Sequence, residues 1–359
     1  MSINHLYHIW FERIAQLRPS EHKARMRNMV WLLVGMYQSK SVHLSKIAVK
    51  IPWAKSTLPS GARRLSRLLA NPKLRVRDWY EAFARHVVEA QANSTGNIRL
   101  IVDGTKVGFD HQLLMVAIAY RRRALPLAWT WINCKRGHSS SEKQLALLTY
   151  VHRLIPEDVP VCLVGDSEFG AIDVLKQLDT WQWYYALRQN ANHLIQLPGQ
   201  ETWIPFGELV QEPGQSRWVD QALLTQQHAY PTSLLAHWKI GEKEPWLLAT
   251  NMPDKRTTLT AYRRRMWIEE MFGDFKGHGF DLESSHLRHA ARLSRLTLAV
   301  ALLYVWLVST GSQIIKAGKR FLVDRRDRRD LSIFRIGLNM IDRLITLSLP
   351  LPYRFVPYF

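Results

Sequence analysis

The sequence predicts an α/β protein: a mixed sheet covered by helices and carrying a β-rich insertion, between an all-α N-terminal unit and a helical C-terminal segment. Three observations predict it. Residues before about Ala90 divide into short helical stretches punctuated by Pro52, Pro59 and Pro72. Three strand-like runs follow, then helix, strand and helix, the alternation of a sheet with helices packed on it. From Asn192 to about Glu244 the chain turns rich in Gln, Pro, Gly and Trp, and sheet-like sequence resumes at Trp246. A chain of 359 residues is long for one core, which points to two or three structural units.

In chain order, Arg25 to Tyr37 predicts one helix, Leu44 to Val49 a second, and Ser60 to Leu69 a third with Ser60 as its cap. The third sets Arg63, Arg64 and Arg67 beside Leu65, Leu68 and Leu69. An Arg-bearing helix behind a short helix pair suits binding in a DNA groove, although an ordinary solvated face has the same pattern. The polar stretch Gln91 to Gly96 ends this unit. Strands are predicted over Ile98 to Val102, Leu113 to Tyr120 and Leu125 to Ile132, with turns at Gly108 and Asp110 and at Arg121 to Arg123. Ser139 and Glu142 have capping-box spacing and open a helix through Leu154. A buried strand, Val161 to Val164, runs into Gly165 and Asp166; a short helix and a strand at Trp183 to Leu187 follow.

Within the insertion, Ser216 to Val219 reads as a strand. After Trp246 to Thr250, one long helix is predicted from about Thr258 to Lys276, ended by Gly277 and Gly279. A second covers Leu293 to Val308. Arg325, Arg326, Arg328 and Arg329, interleaved with aspartates, precede a last amphipathic helix. The resulting divisions are 1–95, 96–191, 192–245, 246–311 and 312–359.

The formal net charge of +19 predicts a polyanionic partner, usually nucleic acid. A hydrophobic content of 47% excludes a disordered chain. Cys134 and Cys162 make neither a disulfide framework nor a C-x-x-C metal pair, and read as buried free thiols in a reducing compartment. Trp31 to Met36 is a short apolar patch without a cleavage site. Leu296 to Val308 is too short for a bilayer, which needs about 20 residues, and reads as a buried helix. A cytoplasmic protein with no membrane partner is expected.

Two aspartates stand at the ends of apolar runs, Asp103 before Gly104 and Thr105, and Asp166 before Ser167. Charges there are costly unless used, although either alone could be a turn former. Tyr262, Arg265, Glu269 and Lys276 are spaced so that, at about 100° per residue, all four fall within roughly 60° of one helix face. A core helix would place Leu or Val there, and a solvated salt-bridge face remains the alternative. Glu270, Asp274 and Asp281 are nearby acids, with Glu270 about 100° away from Glu269. Phosphodiester chemistry explains the combination. Two divalent cations about 4 Å apart can activate an attacking oxygen and stabilise the leaving one. Carboxylates suit such hard cations, and Arg and Lys grip flanking phosphates. No His/Cys cluster suggests zinc and no Gly-rich loop suggests a nucleotide triphosphatase.

The run Tyr262-x-x-Arg265-x-x-x-Glu269-x-x-x-x-x-x-Lys276 resembles the YREK signature of bacterial insertion-sequence DDE transposases of the IS-four, Tn-five-like group. Asp103 in Ile-Val-Asp-Gly-Thr and Asp166 in Leu-Val-Gly-Asp-Ser are similar to that family's first and second aspartates, and the resemblance covers roughly Asn97 to Val308. It implies an RNase H-like catalytic core interrupted by a β-rich insertion. It implies two Mg²⁺ or Mn²⁺ ions on Asp103, Asp166 and Glu269, cleavage at transposon ends, a hairpin intermediate in some members, and strand transfer into target DNA. Tyr262, Arg265 and Lys276 would contact phosphates near the transposon end. Trp246 is similar to a tryptophan that stacks on a flipped base, or is a core aromatic of its strand. The implied partners are double-stranded DNA, as terminal inverted repeats and target, and a second copy of the chain when DNA ends are bound. The implied location is the bacterial cytoplasm, at the nucleoid. Two other classes remain: a related nuclease that cuts without transposing, and a non-catalytic DNA-binding descendant.

Overall fold

The computed structural model describes residues 3–53, 56–108, 110–133, 139–352 and 354–359. Five helices precede the sheet: α1 (Ile3–Leu17), α2 (Lys23–Ser39), α3 (Leu44–Val49), α4 (Leu58–Ala70) and α5 (Val76–Thr95). α1 buries Leu6, Ile9, Trp10 and Ile14, the spacing of one helix face. α4 begins before the expected start. Pro59 fits its first turn, and the cap is Thr57, whose hydroxyl accepts from the Ser60 amide, so Ser60 is not the cap. The polar stretch from Gln91 ends the helical unit, as the last turn of α5 closed by Gly96. Buried Gln91 donates to the Ala119 carbonyl and accepts from the Arg99 amide, tying the helix to the sheet.

The sheet and its covering helices follow as β1 (Ile98–Val107), β2 (His111–Tyr120), β3 (Arg123–Asn133), α6 (Ser141–His152), β4 (Val161–Gly165), α7 (Ile172–Thr180) and β5 (Tyr184–Arg188). Next come β6 (Leu194–Gln196), β7 (Trp203–Pro205), β8 (Ser216–Leu224), β9 (Tyr230–His237) and β10 (Trp246–Thr250). The chain closes with α8 (Lys255–Tyr262), α9 (Met266–Phe275), α10 (Ala290–Lys316) and α11 (Ile333–Thr346). All ten strands join one mixed sheet in the order β3-β2-β1-β4-β5-β10-β9-β8-β6-β7. β1 and β4 pair parallel, as do β4 and β5; the other pairings are antiparallel. β6 to β9 thus extend the sheet outward from β10.

Several local expectations change. Asp103 does not close its strand: β1 runs on to Val107, held by β2 alone beyond Val102. α6 is capped at Ser140 without a side-chain bond, because Ser139 turns elsewhere and gives its amide and hydroxyl to Glu168. The single helix expected from Thr258 to Lys276 is two helices. Across Arg264, Arg265, Trp267 and Ile268 each amide bonds the carbonyl three residues back, a tighter winding that breaks the regular face. Cys162 is half-buried, and burial pushes its thiol up to about 12; Cys134 lies outside the described residues.

α10 holds the centre. By length and composition its 27 residues could cross a membrane, but 83% of its most apolar window is buried inside the protein, the situation of a core helix. α2, α4 and α5 pack on it from the N-terminal side and α11 from the other. Trp10 of α1 meets Trp306 of α10 and Phe355 edge to face. The buried apolar cluster therefore runs unbroken from the N-terminal helices to Phe355.

Candidate active site

Parallel pairing brings the two aspartates together. The β1/β4 ladder ends at Val102 against Gly165, so Asp103 and Asp166 are the next residues on adjacent strands. Each is fixed by its successor's amide: Gly104 N–H donates to Asp103 Oδ1 at 2.7 Å, and Ser167 N–H to Asp166 Oδ1 at 2.7 Å. Small residues make the approach possible. A Cβ on Gly165 would stand 2.8 Å from Val102 Cγ1, and one on Gly104 would stand 2.4 Å from Gln112 Nε2. That Gln112 amide donates to Glu168, whose carboxylate also receives the Ser139 amide at 2.7 Å and the Ser139 hydroxyl at 2.5 Å. Glu168, two residues past Asp166, thus anchors the turn that presents it. The acid in the turn after Asp166 was the only sequence signal for this anchor.

α9 packs across β1, β2 and β3 and delivers the third carboxylate. Arg265 Nη2 lies 2.9 Å from Glu269 Oε1, while Nη1 lies 3.5 Å from Asp103 Oδ2 and 3.9 Å from Asp166 Oδ2. The structure therefore brings Asp103, Asp166 and Glu269 to one guanidinium, whose side chain is only 12% exposed. An open cleft of about 400 Å³ runs along them to Lys276. The neighbouring acids face elsewhere: Glu270 and Asp274 both pair with Arg123, at 2.8 and 3.0 Å.

The other candidate residues reach this cleft unequally: Lys276 lines it with Arg265 and Glu269, and the Tyr262 phenol lies close enough to feel the charges of Arg265, Asp166 and Asp103. Tyr262 ends α8 and is buried, its ring edge-on to half-buried Trp246 at 5.0 Å. Its hydroxyl has no hydrogen-bond partner among the described residues, and burial pushes the phenol far up. In this structure Tyr262 offers no surface to a phosphate, and Trp246 is its packing partner. Lys276 caps the end of α9; its ammonium donates to the Lys106 carbonyl at 2.6 Å and pairs with Glu283 at 3.1 Å. Arg63, Arg64 and Arg67 are exposed on α4, with Arg64 held by Asn28 at 2.7 Å.

Burial pushes Asp103 up to about 7, against the opposing pull of Arg265 and the Gly104 N–H; the charges of Asp166 and Glu269 push it further up. Three carboxylates against one guanidinium leave this cluster short of positive charge. Its donors are all hard oxygens, the set that Mg²⁺ and Mn²⁺ prefer. Among the described residues no three such side chains stand close enough to hold one ion as they are, because Arg265 lies between them. The donor set fits divalent cations once that guanidinium moves aside.

A raised carboxyl makes folding take up a proton. The unfolded chain releases it near 4, while folded Asp103 holds it up to about 7. The stability Asp103 contributes is therefore complete below about pH 4 and is lost as the pH rises through 7. Asp103→Asn is expected to stabilise the metal-free protein by on the order of 3 kcal/mol at pH 8, about 4 °C in Tm, and to change little at pH 4. Asp274, also pushed up to about 7 by burial, adds to the same window, so the variant should flatten the pH dependence without abolishing it. Melting curves at both pH values check this; equal Tm values at pH 8 would mean that the ionised carboxylate is held without cost.

Comparison with known proteins places these residues in one family match. The family model described as Transposase DDE domain matches residues 96–306. Among solved structures, the chain is similar to one titled "Cryo-EM structure of piggyBac transposase synaptic complex with hairpin DNA (SNHP)", at 8% identity and a TM-score of 0.44, over 98% of this chain and 82% of that one. Among curated proteins none matches.

Proposed function

We infer that this chain, which belongs to the Transposase DDE domain family, cuts DNA at the ends of a mobile element and joins those ends to target DNA. One observation carries the reading. The family match spans Asp103, Asp166 and Glu269, and in the fold these three carboxylates meet at a single guanidinium on an open cleft. We further propose an RNase H-like core of the IS-four type, with 192–245 as its insertion and 1–95 as a DNA-binding unit presenting Arg63, Arg64 and Arg67.

Asp103, Asp166 and Glu269 would hold two Mg²⁺ or Mn²⁺ ions, which when bound supply an activated oxygen nucleophile and stabilise the leaving oxygen. The chain's own groups do the rest. The backbone amides of Gly104 and Ser167 keep the two aspartates aimed into the cleft. Arg265, set free of the carboxylates, is in reach of a phosphate on the strand being cut, and its planar fork suits that contact. Lys276 supplies a point charge at the far end of the cleft. The net charge of +19 supports a long-range attraction to duplex DNA.

The test uses the purified full chain, Mg²⁺ and labelled duplexes carrying the inverted repeats that flank its coding region. Free 3′ hydroxyls at the repeat ends, followed by joined products with a target plasmid, are expected. Cutting without joining would favour the nuclease reading, and duplex binding without cutting in either Mg²⁺ or Mn²⁺ would favour the non-catalytic one.

A further inference from the structure

We propose a second anion site on the same sheet face as the carboxylates: a cavity of about 760 Å³ in which Arg99 and Arg264, with Arg256 on its wall, take a backbone phosphate of the bound DNA strand. The proposal rests on the reading of the chain as acting on DNA and names a contact that reading does not contain.

Register fixes the position. Arg99 pairs with Cys162 in the parallel ladder that ends beside Asp103 and Asp166. Strand residues two apart return to one face, so Arg99, Ile101 and Asp103 share a face with Cys162, Val164 and Asp166. Arg99 is four residues from Asp103, about 13 Å along the strand. That is roughly four steps of one DNA strand along the duplex axis. Arg264 enters the same cavity from the break between α8 and α9, one residue before Arg265.

The charges are what the fold leaves unanswered. Arg99 and Arg264 are both half-buried, and among the described residues neither side chain has a hydrogen bond or an ion pair. Several other half-buried arginines are matched: Arg123 by Glu270 and Asp274, Arg188 by Glu244, Arg295 by the carbonyls of Leu69 and Leu74. Burial lowers the pKa of Arg264 and the charge of Arg99 lowers it further, so the two guanidiniums repel each other across the cavity. Asp254 also lines the space, but its carboxylate accepts from the Thr257 amide and hydroxyl as the cap of α8. Like charges drawn partly out of water are costly without a counter-ion, and a phosphate matches the planar donors of two arginines. A strand phosphate held between Arg99 and Arg264 would sit roughly four strand steps from Asp103, as the strand spacing gives.

The experiment compares the full chain with Arg99→Gln, Arg264→Gln and the double variant, all without divalent metal. Kd for a random-sequence duplex is measured against salt. The double variant is expected to lose about 0.9 from the slope of log Kd against log salt, the share of one phosphate, and to melt higher than the parent in chloride because the repulsion is gone. An unchanged slope in a variant that melts as a folded protein overturns the proposal. Inorganic phosphate against chloride at equal ionic strength then separates the sources. A phosphate-specific rise in Tm that the double variant lacks, beside an unchanged slope, would assign the cavity to free phosphate and overturn the strand. Because nothing here is cut, a failure of the transposition assay leaves this result standing, and the reverse.

Discussion

Glu269→Gln is expected to reduce DNA cleavage in Mg²⁺ by about 1000-fold or more while leaving duplex affinity nearly unchanged. If Glu269 holds a catalytic ion as proposed, losing its charge forfeits several kcal/mol of charge stabilisation in the transition state, and about 4 kcal/mol corresponds to three decades in rate. Affinity rests on phosphate contacts by basic residues, which the substitution does not touch. Freed from Glu269, Arg265 should if anything bind the duplex slightly more tightly. Glu270→Gln is the matched control, since its carboxylate faces Arg123 and not the cleft. Single-turnover cleavage of an end-labelled duplex, beside a binding isotherm, measures both. Full cleavage by Glu269→Gln with loss in Glu270→Gln would exchange the roles of the two neighbours.

The largest effect on stability is expected far from the cleft, at Gly337. A Cβ there would stand 1.8 Å from the Leu307 carbonyl oxygen, and one on Gly311 would stand 2.0 Å from the Ile333 oxygen. α10 and α11 thus cross backbone against backbone through a reciprocal pair of glycines, and the obstacle is main chain that no side-chain rotation can clear. Gly337→Ala must push the helices apart, opening the packing of Phe334, Leu338 and Ile341 on α10. A cost of about 3 kcal/mol or more follows, at the upper end of overpacking effects, with a fall in Tm of about 4 °C or more. Gly277→Ala, where no atom lies within 4 Å, is the control and should melt with the parent. Equal melting of Gly337→Ala and the parent would show that the crossing has slack.

Much of the sheet was legible because its strands are continuous apolar runs with turn residues between them. β1 to β5 and β10 lie close to the stretches expected from pattern alone, with ends moved by a few residues. The gathering of Asp103, Asp166 and Glu269 was legible as spacing and resemblance. The guanidinium between them was not, because sequence distance says nothing about which partner a buried arginine chooses. The break at Arg263 to Arg265 was invisible for a related reason: three arginines carry no glycine or proline, and the tight turn is imposed by packing. Tyr262 shows the consequence. A wheel drawn on an unbroken helix sets it beside Arg265 on an open face; the fold keeps it near Arg265 but buries its ring against Trp246. α1 and α5 could have been found from their apolar spacing, Leu6, Ile9, Trp10 and Ile14 in the one and Tyr80, Phe83, Val87 and Val88 in the other. The Glu168 anchor needs three separate segments, around Gln112, Ser139 and Glu168, and no local pattern joins them.

The unbroken core through α10 bears on how the protein is made. Trp10 leaves the ribosome 296 residues ahead of its partner Trp306 and 345 residues ahead of Phe355. At about 5–20 residues per second the wait is roughly 15–60 s. During that interval the first helices can form but cannot bury their apolar faces against the helix that completes them. Asp103 and Asp166 are also synthesised well before Glu269. On the proposed reading, a nascent chain therefore carries basic residues suited to nucleic acid before it carries the complete set of acids that would cut it. The first DNA within reach is that around its own gene, in any cell where translation proceeds beside the template.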